Sequence, residues 1–330
     1  MGDETSGPDL LGRFRGTLLG CAVGDALGAP YQGKPRSFFL AGAVGLDEFQ
    51  RLPGYPPGQY TDDTQLTLAV AESLIACGTL NAQDVGRRFG LLFSRREILS
   101  PERSTVAAIE RLMGGVDALQ AAAPEGEAGN TPIKCVSPLG LWFHDRSDHL
   151  ANAAAAVGRV THRDKRCQAG AVGMARAVNY CLDQKKLVPG SFLEAVSRAM
   201  SGHHGPFAQL VAELEAWIGL PEDSALPRIV SAGAGPAKEV DPSLGIPATV
   251  VPTLLGVFYF FLRYHDDFEL CMHETVRAGG AIDTTASMVA SLMGAFHGME
   301  ILPENLVTNV HNFKHLVDVA ERLYRRKTSN

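Results

Sequence analysis

Apolar residues recur mostly three and four positions apart, while alternating runs are few and short, so the pattern predicts an all-α protein. Helices are expected over 12–28, 62–77, 83–96, 104–113, 148–158, 164–183, 191–201, 207–218, 248–263, 267–278, 284–298 and 311–326. Stretches rich in Gly and Pro separate some of them, at 29–60, 114–138 and 231–247. Loops of that length in a compact helical protein are often functional. No low-complexity linker and no internal repeat divides the chain, so one domain over 1–330 is expected, with flexible ends at 1–11 and 327–330.

Within the first helix, Gly16, Gly20, Gly24 and Gly28 fall four apart. Glycine is a poor helix former, so four on one face imply a close helix approach that Ala would block. Asp25, set among them, is expected to bond the facing backbone.

Composition narrows the class. With 330 residues, 45% hydrophobic and 20% charged, the chain has enough apolar material for a large core. The formal net charge of -6 argues against sequence-independent nucleic-acid binding, which relies on Lys and Arg to displace counterions. Six scattered cysteines without a CxxC pair are expected to be reduced and mostly buried. The first residues carry acids where a signal peptide carries positive charge, which leads to the expectation of a cytoplasmic location. An uncharged stretch between Asp241 and Arg263 is long enough to span a membrane, but Pro242, Pro247 and Pro252 break its first half. A buried helix is the expectation there, and no membrane association.

Two helix openings stand out chemically. Thr61-Asp62-Asp63-Thr64 precedes one apolar helical run, and Asp283-Thr284 precedes another. Each suits capping and the positive end of the helix dipole. One acid suffices for that, so the second Asp of the first motif is surplus, and clustered Asp and Thr oxygens also suit a hard divalent cation. Both readings stand at this point, and the pairing of the two openings is what favours the cation. The loop at Gly129, Asn130 and Thr131 offers amides to an oxyanion or makes an ordinary turn. Asp164 is the expected cap of the helix that follows His162, a residue equally suited to a structural hydrogen bond. His203 and His204 are assigned nothing. GxSxG, HExxH, GxxxxGK[ST] and GxGxxG are all missing, which leaves oxygen-ligated metal hydrolysis among the common hydrolytic chemistries.

Taken in order, GDALGAP, TDDT, GN followed by SPLGL, THRD and GGxxDTTA resemble the ADP-ribosylglycohydrolase family, whose bacterial members include the dinitrogenase reductase-activating glycohydrolases. The resemblance implies an orthogonal all-α bundle with a Mg²⁺ or Mn²⁺ centre in a cleft. The implied reaction is hydrolysis at C1″ of an ADP-ribosyl group carried by a protein, a nucleic acid or a small molecule. By position, Thr61, Asp62, Asp63, Asp283 and Thr284 match metal ligands, with Asp62 or Asp63 taking the proton of the attacking water. Gly129, Asn130 and Thr131 match the diphosphate loop, and His162 and Asp164 border the ribose.

Three departures from the family pattern matter. Ala281 replaces a metal-binding Asp, Gln32 replaces a Glu, and Gly129-Asn130-Thr131-Pro132-Ile133-Lys134-Cys135 replaces a GNGAAMR-like run. The first two remove carboxylates from one metal position, so one firm metal and at most a weak second are expected. In the third, Pro132 removes a backbone donor, for which the charge of Lys134 is expected to compensate. A member that binds ADP-ribose with weak or no catalysis is the alternative reading.

Overall fold

In the computed structural model, which describes residues 9–42, 44–234 and 240–329, the expected helices form and no β-strand occurs among the described residues. The first half contains α1 (Leu10–Gly28), α2 (Arg36–Leu40), α3 (Asp62–Cys77), α4 (Ala82–Ser94), α5 (Arg103–Met113), α6 (Ala118–Ala121), α7 (Thr131–Lys134), α8 (Ser137–Trp142) and α9 (Ser147–Thr161). Then follow α10 (Lys165–Asp183), α11 (Pro189–Met200), α12 (Gly205–Glu213), α13 (Glu215–Ile218), α14 (Glu222–Ser231), α15 (Val250–Tyr264), α16 (Phe268–Arg277), α17 (Ile282–His297), α18 (Glu304–Asn309) and α19 (Phe313–Thr328). One continuous apolar core runs from Phe14 in α1 to Leu323 in α19.

The centre of the molecule is the pair α1 and α17. A methyl group at Gly16 would stand 2.5 Å from the Gly294 carbonyl, and one at Gly20 or Gly24 would run into the carbonyl of Ala290 or Ala286. At the far end, a methyl at Gly28 would stand 2.8 Å from Asp283 Cα. The glycine stripe therefore lets two backbones touch along four turns, and this contact sets the start of α17 beside the end of α1.

The segment around Pro247 and Pro252 enters α15, whose residues from Val250 to Leu262 are buried, and no described helix is long and apolar enough to cross a membrane. All six cysteines are free thiols, and only Cys77 is exposed. The ends differ in part from expectation. Residues 1–8 and 330 lie outside the described residues, but Leu10 already belongs to α1, and Lys327 in α19 is buried with its ammonium 2.6 Å from Asp145. The helix α1 is buried along nearly its whole length from Gly12, and α19 buries one apolar face that includes Leu316, Val319, Ala320 and Leu323.

The expected loops contain short helices. Both α7 and α8 carry Pro in their first turn, where the missing N–H has no intrahelical partner to lose.

Candidate active site

At the start of α3 the N-cap residue Thr61 makes no side-chain capping bond. Asp25 of α1 caps the helix from outside: its carboxylate accepts from the Thr61 and Thr64 amides at 2.9 and 3.0 Å and from their hydroxyls at 2.8 and 2.7 Å. The expectation that Asp25 bonds facing backbone holds, and its effect is to release Asp62 and Asp63 from capping. Both are fully buried.

Their partner is Lys134, at the last turn of α7. Its Nζ donates to Asp62 Oδ2 at 2.9 Å and to Asp63 Oδ2 at 3.1 Å, and the residue is 4% exposed. The Thr67 hydroxyl of α3 donates to the Lys134 carbonyl at 2.7 Å, which fixes α7 against α3. Lys134 is therefore turned toward carboxylates, where the sequence suggested phosphate.

Asp283, buried near the start of α17, completes the cluster. It lies close enough to Asp62, Asp63 and Lys134 for their charges to act on one another. Its Oδ1 accepts from the Thr284 amide at 2.7 Å, with the Thr284 hydroxyl at 3.3 Å. Desolvation pushes Asp62 up to about 8 against the pull of Lys134, and desolvation followed by Asp63 pushes Asp283 up to about 7. Burial would depress the Lys134 ammonium, yet Asp62, Asp63 and Asp283 hold it well above its ordinary value. The cluster thus has more acid than one ammonium balances, and it retains protons that exposed carboxyls would release.

The two departures lie beside this cluster. Ala281 is the N-cap residue of α17 and contributes no side-chain bond. Gln32 supplies the acceptor instead: its Oε1 takes the Ile282 amide at 2.8 Å and the Asp283 amide at 3.3 Å. Both line a cavity of about 620 Å³ together with Gly280, Gly126, Ala128, Arg166 and residues 244–249. Asp62, Asp63, Asp283 and Lys134 do not line it; they stand behind the Gln32 and Ala281 wall.

As arranged, these groups do not fit a divalent ion. One oxygen of each α3 aspartate is taken by the ammonium, Gln32 Oε1 is taken by two amides, and Ala281 offers nothing. Asp62 Oδ1 and Asp63 Oδ1 are buried without a hydrogen-bond partner among the described residues, but they stand beside a positive charge. Among the described residues no three His, Cys, Asp or Glu side chains converge as a metal ion's ligands do.

The remaining sequence candidates gather elsewhere. Gly129, Asn130, Thr131 and His162 are buried. The Thr131 hydroxyl donates to Glu102 at 2.7 Å and accepts from Thr105 at 2.8 Å, while Asn130 Nδ2 reaches Thr253 at 3.4 Å. His162 is 0% exposed, with Nε2 at 3.0 Å from Ser104 and 3.7 Å from Glu102. Burial opposes ionisation of Glu102, but donors from His162, Thr131 and Ser104 hold it down to about 2. A methyl at Gly129 would overlap the Glu102 carboxylate, which would have to shift to admit it. None of Gly129, Asn130, Thr131 and His162 is among the residues that line the cavity beside Gln32.

Asp164 caps α10 as expected, accepting from the Arg166 amide at 2.8 Å, and it also holds the Arg166 guanidinium at 2.8 and 3.0 Å. Sequence reasoning missed Glu102 and Arg166, and misassigned Lys134. For Lys134 a signal existed, since a lone Lys inside the apolar run Pro132-Ile133-Lys134-Cys135-Val136 requires a buried counter-charge.

The ADP-ribosylglycohydrolase family model matches residues 6–330. The chain belongs to the ADP-ribosylglycohydrolase family. Among relatives of this ADP-ribosylglycohydrolase chain, ADP-ribosylhydrolase ARH3 of Xenopus tropicalis is 25% identical, with 95% of each protein covered. The ADP-ribosyl-[dinitrogen reductase] glycohydrolase of Rhodospirillum rubrum is 26% identical, with 92% of each covered. A solved structure described as an ADP-ribosylglycohydrolase-related protein complex superposes with a TM-score of 0.70 at 27% identity, covering 96% of this chain and 99% of that one. The all-α family fold is thereby shown.

Proposed function

We propose that this chain hydrolyses the glycosidic bond at C1″ of an ADP-ribosyl group carried by a protein, a nucleic acid or a small molecule. The observation that carries the reading is the meeting of Asp62 and Asp63 with Asp283, drawn from opposite ends of a chain that matches the family throughout. In this reading the cavity beside Gln32 and Ala281 receives the ADP-ribosyl group. Arg166, on the cavity wall, supplies positive charge to the diphosphate. Asp62, Asp63 and Asp283 stand behind the Gln32 and Ala281 wall, so in this reading that wall moves aside for one of these acids to accept a proton from the water at C1″.

A second reading has its own support. Ala281 and Gln32 leave the cavity wall beside Asp283 without a carboxylate, which favours binding of ADP-ribose over turnover.

One experiment separates them: calorimetry with ADP-ribose, alongside release assays on ADP-ribosyl-arginine, ADP-ribosyl-serine and ADP-ribosyl-nucleobase conjugates. Release from any conjugate supports the hydrolase. Binding with no release on all three supports the second reading, and no binding with no release removes both.

A further inference from the structure

We propose that Lys134 is the resident cation of this centre, standing in the position that the resemblance gives to a divalent ion, so that the site works without one. The family relationship makes Thr61, Asp62 and Asp63 the expected holders of a metal. In the structure Asp62 and Asp63 hold an ammonium, with Nζ within hydrogen-bond distance of both, while Thr61 donates to Asp25.

Lys134 is built into this position. Its backbone ends a helical turn begun by Thr131 and Pro132, its carbonyl is tied to Thr67, and its side chain has almost no access to solvent. A surface lysine that swings toward an acid has none of these restraints. An ammonium is a compact point charge with three donors, so it neutralises two facing carboxylates much as a cation does. A divalent ion on the same oxygens would stand beside it, and the mutual repulsion inside a buried site is weakly screened.

The second metal position is closed by a separate set of changes. Ala281 lacks an oxygen, and Gln32 uses its only side-chain acceptor to cap α17. Lys134, Gln32 and Ala281 thus form one consistent replacement: a fixed positive charge appears where the first ion would sit, and negative charge disappears where the second would sit. Lys134 acts here as a positioning residue. It holds Asp62 and Asp63 in orientation and charge, and it does not line the cavity.

The test uses the full chain, stripped with EDTA and titrated with Mn²⁺ while free Mn²⁺ is followed by electron paramagnetic resonance. Unaltered protein is expected to leave Mn²⁺ free at concentrations up to about 100 µM. Lys134→Ala is expected to take up one equivalent, because Asp62, Asp63 and Asp283 lose their counter-charge. Uptake of Mn²⁺ by the unaltered protein overturns the proposal, and so does a folded Lys134→Ala protein that takes up none.

A second measurement needs no variant. ADP-ribose affinity of the unaltered protein is expected to agree within about two-fold in EDTA and in Mg²⁺, and a gain of about ten-fold in Mg²⁺ overturns the proposal. This arm rests on the ADP-ribose reading, whereas the Mn²⁺ titration does not. Failure to bind ADP-ribose in either buffer therefore removes that reading and leaves the Mn²⁺ result to decide on Lys134.

Discussion

The openings of α3 and α17 solve the same problem in opposite ways. Each leaves first-turn amides without intrahelical partners, and each receives its cap from another segment. At α3 the cap is supplied by Asp25, a buried carboxyl that accepts four hydrogen bonds. At α17 it is Gln32, neutral, exposed and bonded twice. The α3 opening keeps two acids that are free of capping and gives them to Lys134; the α17 opening keeps Asp283 and has Ala281 beside it. One opening is thus a charged, tightly partnered structure, and the other is a reduced one. Chemistry at a shared site is apportioned unequally between its two ends.

The largest disturbance acts on the frame that sets these openings side by side. Gly20→Ala places a methyl against the Ala290 carbonyl, and it is expected to cost about 3 kcal/mol by forcing α1 and α17 apart. Urea unfolding measures this, and a change below ~0.5 kcal/mol contradicts the backbone contact. Asp25→Ala is next, at about 2.5 kcal/mol, because it strands two amides and two hydroxyls of the α3 opening. Thermal unfolding together with amide exchange at Thr61 and Thr64 reads it, and unchanged exchange there refutes the cap.

The third prediction concerns pH. Folded Asp283 keeps its proton up to about 7, while the unfolded chain releases it near the ordinary value of 3.8. The folded state therefore binds more protons in between, and this contribution to stability is present below pH 3.8 and lost as pH rises through about 7. Asp283→Asn is expected to shrink the loss of stability between pH 5 and 8 by roughly 2 kcal/mol, and identical pH slopes for the two proteins speak against it.

The smallest effect is Gln32→Ala. It uncaps the weaker opening, for about 1 kcal/mol and a fall in melting temperature of roughly 2 °C. A loss equal to that of Asp25→Ala erases the asymmetry between the two ends.

Much of this was legible in the chain itself. Helical spacing located α1, α3, α10, α15 and α17, and the glycine stripe foretold the α1 contact, because both depend on periodicities that backbone geometry imposes. The convergence of Asp62, Asp63 and Asp283 followed from pairing two similar helix openings. Lys134 was harder to place. It ends the four-residue helix that Thr131 begins, too short for any period to reveal, and a loop lysine suggests phosphate before it suggests a buried pair. Thr131 and His162 were matched to ligand-bordering positions by the resemblance alone, and their bonding to Glu102 left no local signal because that acid comes from a distant segment.

The glycine contact between α1 and α17 also limits how this molecule moves. Packed helices usually rearrange by sliding, with side chains acting as a deformable layer between them. Here backbone meets backbone, and that layer is missing. A shift of α17 along α1 would drive Cβ atoms of Ala286 and Ala290 into neighbouring turns, so Asp283 and the α1 end travel as one rigid piece. Any opening that admits a large substrate has to occur by swinging other parts of the wall, and the acids must wait in place.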